Sequence, residues 1–345
     1  MCGIVGYVGE RQGLNLALDA LRRMEYRGYD SSGIAGAGTD AEGGRVINMV
    51  KRAGKLANLE DKIAEVGEDT LTGTTAIGHT RWATHGRPTD ANAHPHMSFD
   101  GRVTIVHNGI IENFAPLRAE LEAAGIELKS ETDSEVAAHL LAQAYNDGET
   151  AGDFRASALH VLGRLEGAFT VLFMHADHPD QIIAARRSTP LIVGVGEGEM
   201  FLGSDVAAFI EYTKNAVELD QDNVVVITRD GYEVLNFDGS AAEGKPFTID
   251  WDLAAAEKGG FDSFMMKEIH EQPAAVRDTL AGHYQDGRVV LDEQNISEND
   301  LKSINQVFVV ACGSAYHSGL LAKYAIEHWV RIPVQIEVAS EFRYR

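Results

Sequence analysis

Between residues 167 and 237 the chain sets down six short apolar runs in quick succession: GAFTVLFMHA, QIIAARR, LIVGVG, MFLGSD, NVVVITRDG and YEVLNF. Each is bounded by turn-forming residues, which is the grammar of strands. Upstream, GIVGYV reads as a strand. AIGHTRWAT and RVTIVHNG each read as a strand running into a polar turn, with the loop HGRPTDANAHPHMS between them. Helical spacing appears in LNLALDALRRMEYRG, which stops at a glycine, and near 113–124, 133–146 and 153–165. Many strands with helices clustered rather than strictly alternating predict a layered α+β sandwich.

The chain of 345 residues is long enough for two domains. The glycine-rich stretch 239–262 has few apolar residues and reads as a linker. It separates a first domain, 2–238, from a second, 263–345. The second opens on FMMKEIHEQPAAVRDTL, a helix expected to kink or break near Pro273. Then VFVVA meets the turn ACGSAYHSG, which starts a long helix, and VQIEVAS is the next strand. That is the beginning of a parallel βαβ unit. The sequence stops at SEFRYR, before such a domain is complete.

Composition excludes several function classes. No apolar run approaches a membrane span, and no basic segment leads into an apolar signal core. Two cysteines, Cys2 and Cys312, are no disulfide framework, and the expected setting is a reducing cytoplasm. A formal charge of −22 argues against nucleic acid or an anionic membrane as partner. Arginine outnumbers lysine two to one, and an acidic, lysine-poor surface suits a salt-rich medium.

Several residues can carry chemistry. Cys2 follows the initiator methionine, and its small side chain permits methionine removal. The freed amine, with a reference pKa of about 7.7–8.0, is a base on the same residue as the thiol. Taken alone, the position reads more readily as a small buried hydrophobe in a strand. Asn108-Gly109 in HNG is first a hairpin turn signal. Its other reading is an oxyanion hole. Arg81, in TRWATHG with Trp82, Thr84, His85 and Gly86, fits a bidentate clamp on a carboxylate or an exposed ion pair. Thr132 to Glu135 reads as a capping box, placing Asp133 in a helix's first turn. The alternative is that Asp133 binds an ammonium. Cys312, Gly313 and Ser314 open a helix where backbone N–H groups suit an anion. His85, His94, His96 and His107 lack the partners of a zinc site, and loop histidines without such company read as hydrogen-bonded surface groups. No metal and no cofactor is expected.

MCGIVGY, EYRGYDSSGIA, GHTRWATHG, NAHPH, VHNGIIEN and SETDSE occur in that order. Together they resemble the class II glutamine amidotransferases, whose glutaminase domain is an N-terminal-nucleophile fold, a four-layer αββα sandwich. FMMKEIHEQP, ACGSAYHSGL and ASEFRYR resemble the branch of that family that aminates fructose 6-phosphate. The resemblance implies that Cys2 is the nucleophile and that Asn108 and Gly109 form the oxyanion hole. It implies that Arg81, with Thr84, His85 and Gly86, holds the carboxylate of L-glutamine, and that Asp133 holds its ammonium. Arg27 supports the site and Trp82 gates an ammonia channel. Cys312, Gly313 and Ser314 begin the phosphate site of an α/β, flavodoxin-like sugar isomerase domain. A homodimer is implied at full length. Where family members show CGTS this chain has CGSA, so Ala315 lacks a hydroxyl. Other class II members would need an ATP pyrophosphatase loop or a phosphoribosyl-pyrophosphate loop, and neither pattern is present. A non-catalytic sugar-phosphate regulator is the remaining alternative, and the intact glutamine set argues against it.

Overall fold

The computed structural model describes residues 2–39, 42–67, 73–83, 86–250, 261, 263–280, 284–285, 288–289, 297–342 and 344. It forms two compact units, one running to Phe264 and the other from Met265.

The first unit contains two sheets. The eight-stranded sheet takes β1 (Gly3–Val8), β2 (Ser31–Thr39), β3 (Arg45–Ala53), β4 (Thr75–Arg81), β9 (Ile192–Val195), β10 (Met200–Gly203), β11 (Asn215–Glu218) and β14 (Lys245–Thr248). Their spatial order is β14-β11-β9-β10-β1-β4-β2-β3. The six-stranded sheet takes β5 (His96–Met97), β6 (Val103–Ile111), β7 (Gly167–His175), β8 (Gln181–Arg187), β12 (Asn223–Thr228) and β13 (Gly231–Asn236). Its order is β13-β12-β8-β7-β6-β5. Neighbouring strands in both sheets run antiparallel.

Three apolar cores explain the layering. Ile4, Val8, Ile77, Val106, Leu172 and Val225 fill the space between the sheets. Val5, Tyr7 and Ile34 pack on the outer side with α1 (Gly13–Arg23) and α2 (Leu56–Val66). Ile105, Val171 and Phe173 pack with α3 (Phe114–Ala123), α4 (Glu135–Asp147) and α5 (Phe154–Arg164). The order is therefore helices, sheet, sheet, helices, the expected αββα sandwich. Successive residues of β1 point alternately to the inter-sheet core and to α1. Both faces are covered, so GIVGYV is apolar throughout instead of alternating with polar residues.

The structure differs from local sequence signals in four places. Asn108-Gly109 is no hairpin turn. It lies inside β6, with Asn108 opposite Thr170 and Gly109 opposite Phe169. Nine-residue pairing with β7 outweighs the two-residue turn preference. Thr132 caps no helix: α4 has Ser134 at its N-cap, with no side-chain cap bond. Asp133 thus precedes the helix instead of sitting in its first turn. Residues 245–248, inside the span read as a linker, form β14 and pair with β11; a four-residue edge strand carries too little pattern to be seen. Residues 251–260 and 262 of that span lie outside the described residues. Finally, of the kink or break expected at Pro273, the break does not occur: the helix Phe264–Leu280 continues through it. The proline removes one backbone donor without ending the helix.

In the second unit β15 (Tyr284–Gln285) and β16 (Arg288–Val289) pair antiparallel. β17 (Val307–Ala311) and β18 (Val334–Val338) pair parallel, with the helix Gly313–Trp329 connecting them. This is the expected βαβ beginning.

Candidate functional site

Cys2 stands immediately before β1, between the sheet's central strands. Its Sγ accepts a hydrogen bond from the Trp82 N–H at 3.1 Å. The thiol also points at the Trp82 carbonyl, 3.6 Å away. Burial pushes the thiol above its ordinary pKa, against the Trp82 hydrogen bond and the charge of Arg81, which pull it down.

The turn that grips the sulfur is itself held. The Asp30 N–H donates to the Arg81 carbonyl at 2.7 Å, and its carboxylate accepts from the Ala83 N–H at 2.6 Å. Asp30 fixes both sides of Trp82. It was available in EYRGYDSSGIA, but nothing local distinguishes it from any other acidic turn residue. Trp82 is itself 55% exposed.

Arg81, the last residue of β4, is buried. Its guanidinium reaches the carbonyls of Gly86 and Arg87 at 3.4 and 3.5 Å, the long limit of a hydrogen bond. Burial lowers its pKa, and the charges of Asp30, Cys2 and Asp133 oppose that. Gly86 has φ +76°, and a Cβ there would come within 2.7 Å of the Asn92 amide. Thr84 and His85 lie outside the described residues.

Asp133 is buried, and its Oδ2 accepts from the Ile111 N–H at 2.8 Å. It lies in the loop between α3 and α4, one residue from Ser134, whose hydroxyl meets His107 Nδ1 at 2.7 Å. Cys2, Arg81, Gly109 and Asp133 line one pocket. Cys2 also borders a second concavity with Arg27, Trp82, Asn108, Gly109, Ile110 and Pro190. Arg27 donates to Ser204 Oγ at 2.7 Å, and the same hydroxyl accepts from the Ile4 N–H at 3.0 Å. Ser204, unmarked in the sequence, thus ties Arg27 to the start of β1.

Asn108 offers its side-chain amide beside the cysteine. Nδ2 donates to the Cys2 carbonyl at 3.3 Å, and Oδ1 faces His79 Nε2 at 2.8 Å. Gly109 has φ +118°, and a Cβ would lie 2.0 Å from the Ala168 carbonyl oxygen. Only glycine is compatible with that backbone.

His94, His96 and His107 correct their surface reading. His79, His94, His96 and His107 are all buried. The rings of His79 and His94 lie 4.3 Å apart and those of His94 and His96 4.5 Å. Burial first pushes His94 and His96 well below the usual imidazole range; the neighbouring imidazoles His79 and His96 add to this for His94, and the charge of Lys51 adds to it for His96. Lys51 holds the loop that carries His94 and His96. Its ammonium donates to the carbonyls of Ala91, Ala93 and Pro95 at 3.1, 2.7 and 3.1 Å. Among the described residues no three His, Cys, Asp or Glu side chains are grouped to hold a metal ion.

Cys312, Gly313 and Ser314 belong to the second unit. Cys312 is the N-cap of the helix Gly313–Trp329, directly after β17. Cys312 and Ser314 are exposed. Among the described residues no helix is long and apolar enough to cross a membrane.

A glutamine amidotransferase domain family matches residues 43–237, more than half of the chain. Glutamine–fructose-6-phosphate aminotransferase (isomerizing) of Mycobacterium tuberculosis is 64% identical over 350 residues, covering 100% of this chain and 55% of that protein. The Corynebacterium efficiens protein of the same name is 57% identical over 354 residues, again covering 100% and 55%. The chain spans about half the length of the curated relatives it matches. Among solved structures, a glutamine phosphoribosylpyrophosphate amidotransferase from B. subtilis is 20% identical with a TM-score of 0.58. It covers 97% of this chain and 65% of its own. The allosteric regulatory enzyme of purine biosynthesis matches 68% of this chain and 49% of its own, at 23% identity and a TM-score of 0.56. At such identities the likeness is one of fold.

Proposed function

The chain belongs to the glutamine amidotransferase family, and from that premise we propose that it hydrolyses glutamine at Cys2 and supplies the ammonia to a sugar phosphate. The observation that carries this reading is the meeting of Cys2, Arg81, Gly109 and Asp133 in one pocket. A zwitterionic amino acid needs a cation and an anion at fixed separation. Arg81, with Thr84, His85 and Gly86 of the same TRWATHG segment, takes the carboxylate, and Asp133 takes the ammonium.

Removal of Met1 places a free amine on Cys2 Cα, next to the Cβ that carries the thiol. That amine takes the Sγ proton. The sulfur adds to the glutamine carboxamide carbon, and the carbonyl electron pair moves onto oxygen. The Asn108 Nδ2–H and the Gly109 N–H stabilise the oxyanion. The proton passes to the amide nitrogen, the C–N bond breaks and ammonia leaves. Water then cleaves the γ-glutamyl thioester, releasing glutamate and restoring the thiol. No metal or cofactor is required.

The relatives' name supports fructose 6-phosphate as the ammonia acceptor, giving glucosamine 6-phosphate at full length. In this reading the two units correspond to a glutaminase domain and the beginning of a sugar isomerase domain. Arg27 supports the cysteine side and Trp82 gates the ammonia route. Cys312, Gly313 and Ser314 begin the phosphate site, with Ala315 one hydroxyl poorer. The enzyme works in the cytoplasm, as a homodimer at full length.

Intact mass should show Met1 missing, and Cys2→Ala should abolish glutamate release from glutamine. Full activity with Met1 retained, or a Cys2→Ala variant that still turns over, overturns the reading. For the sugar half, fructose 6-phosphate should raise glutamine turnover in a chain of the relatives' length; equal turnover without it counts against that acceptor.

A further inference from the structure

His79 interrupts the apolar strand β4 and is wholly buried. Its Nε2 reaches across to Asn108 on β6, in the other sheet, at 2.8 Å. The geometry around this amide fixes its orientation by elimination. The Cys2 carbonyl oxygen can only accept, so the atom facing it at 3.3 Å is the NH2 group. The opposite atom, Oδ1, can also only accept, so His79 carries its proton on Nε2. Burial pushes the imidazole pKa down to about 3, which keeps the ring neutral. The other ring nitrogen, Nδ1, is buried without a hydrogen-bond partner.

An asparagine amide turns about its last torsion with two nearly equivalent settings. One aims two N–H donors at the reacting carbon's side. The other aims a carbonyl oxygen there, which repels a developing oxyanion. The His79 bond separates the two.

We infer that His79 is the positioning residue of the oxyanion hole: its Nε2–H holds the Asn108 carbonyl so that the amide donors face Cys2. This rests on the proposed role of Asn108. His79 also lines the pocket of Cys2, Arg81, Gly109 and Asp133, and the inference assigns its effect to the bond it makes to the Asn108 amide.

Two substitutions discriminate by reach. The His79→Gln amide nitrogen extends to about where Nε2 stood, whereas the His79→Asn amide reaches only the level of Nδ1. His79→Asn should lower kcat for glutamine hydrolysis by about 10- to 100-fold with KM little changed, short of the about 10²–10³ lost with a whole oxyanion donor. His79→Gln should restore most of kcat. Equal kcat in the two variants, or a loss confined to KM, overturns the inference. If neither variant folds, nitrogen-15 NMR of the unsubstituted protein decides. The His79 ring should show the Nε2–H tautomer at pH 7, and an Nδ1–H tautomer overturns the inference. A Cys2→Ala variant that still hydrolyses glutamine would instead sink the proposed function and leave the tautomer result standing.

Discussion

At position 109 a side chain has nowhere to go. The added Cβ of Gly109→Ala would meet the Ala168 carbonyl oxygen at 2.0 Å and Phe169 Cα at 2.8 Å. β6 and β7 would have to separate where the proposed oxyanion donors sit. Gly109→Ala should therefore lower the melting temperature and glutamine turnover together, and a variant with unchanged turnover would count against the Gly109 role. Asp133 separates two jobs that alanine would confuse. Asp133→Asn keeps an acceptor for the Ile111 N–H but removes the charge. A charge-assisted hydrogen bond contributes about 1.5–3 kcal/mol. KM for glutamine should rise about 10- to 100-fold while the melting temperature stays near that of the unsubstituted protein. These residues were legible as chemical types: a thiol, a cation, an anion, an amide. Their local settings were not. HNG read as a turn because two residues cannot announce the strand they will pair with.

At the scale of elements, α4 brings Glu135, which braces the loop that carries Asp133. Its carboxylate accepts from the Lys129 and Ser130 N–H groups at 2.8 and 2.6 Å and from the Ser130 hydroxyl at 2.6 Å. Burial works to raise its pKa, but bonds from His139, Ser130 and Lys129 outweigh it and hold the group at about 2, below the ordinary 4.5. A depressed carboxylate stabilises the fold above its unfolded value, and the contribution is lost as pH falls from about 4.5 to about 2. Glu135→Gln should flatten the fall in stability across that acid window, as read by denaturant unfolding at a series of pH values. Between the sheets, Leu172 is fully buried in the central core. Leu172→Ala should cost about 2–5 kcal/mol, read by the same unfolding. Three helices on one face were visible in periodicity: expected near 113–124, 133–146 and 153–165, they run Phe114–Ala123, Glu135–Asp147 and Phe154–Arg164, whereas α2 (Leu56–Val66) was not expected. β14 was not, because its four residues gain their order only by pairing with β11.

For the whole molecule, a formal charge of −22 spread over the surface repels itself, and added salt screens that repulsion. The melting temperature should rise from low to molar potassium chloride; an unchanged value would remove the case for a salt-adapted surface. By itself the sequence determined the layered α+β class, most of the helices and the residue types of the proposed glutamine site. Those follow from periodicity and side-chain chemistry, which are local. Only the tertiary structure decided that Cys2 hangs from the Trp82 backbone and that Asp30 holds both sides of that turn. It also decided that a buried His79 orients Asn108 from the opposite sheet. Each of these joins residues far apart in the chain, and a hydrogen bond depends on distance and angle in space, which a linear sequence does not carry.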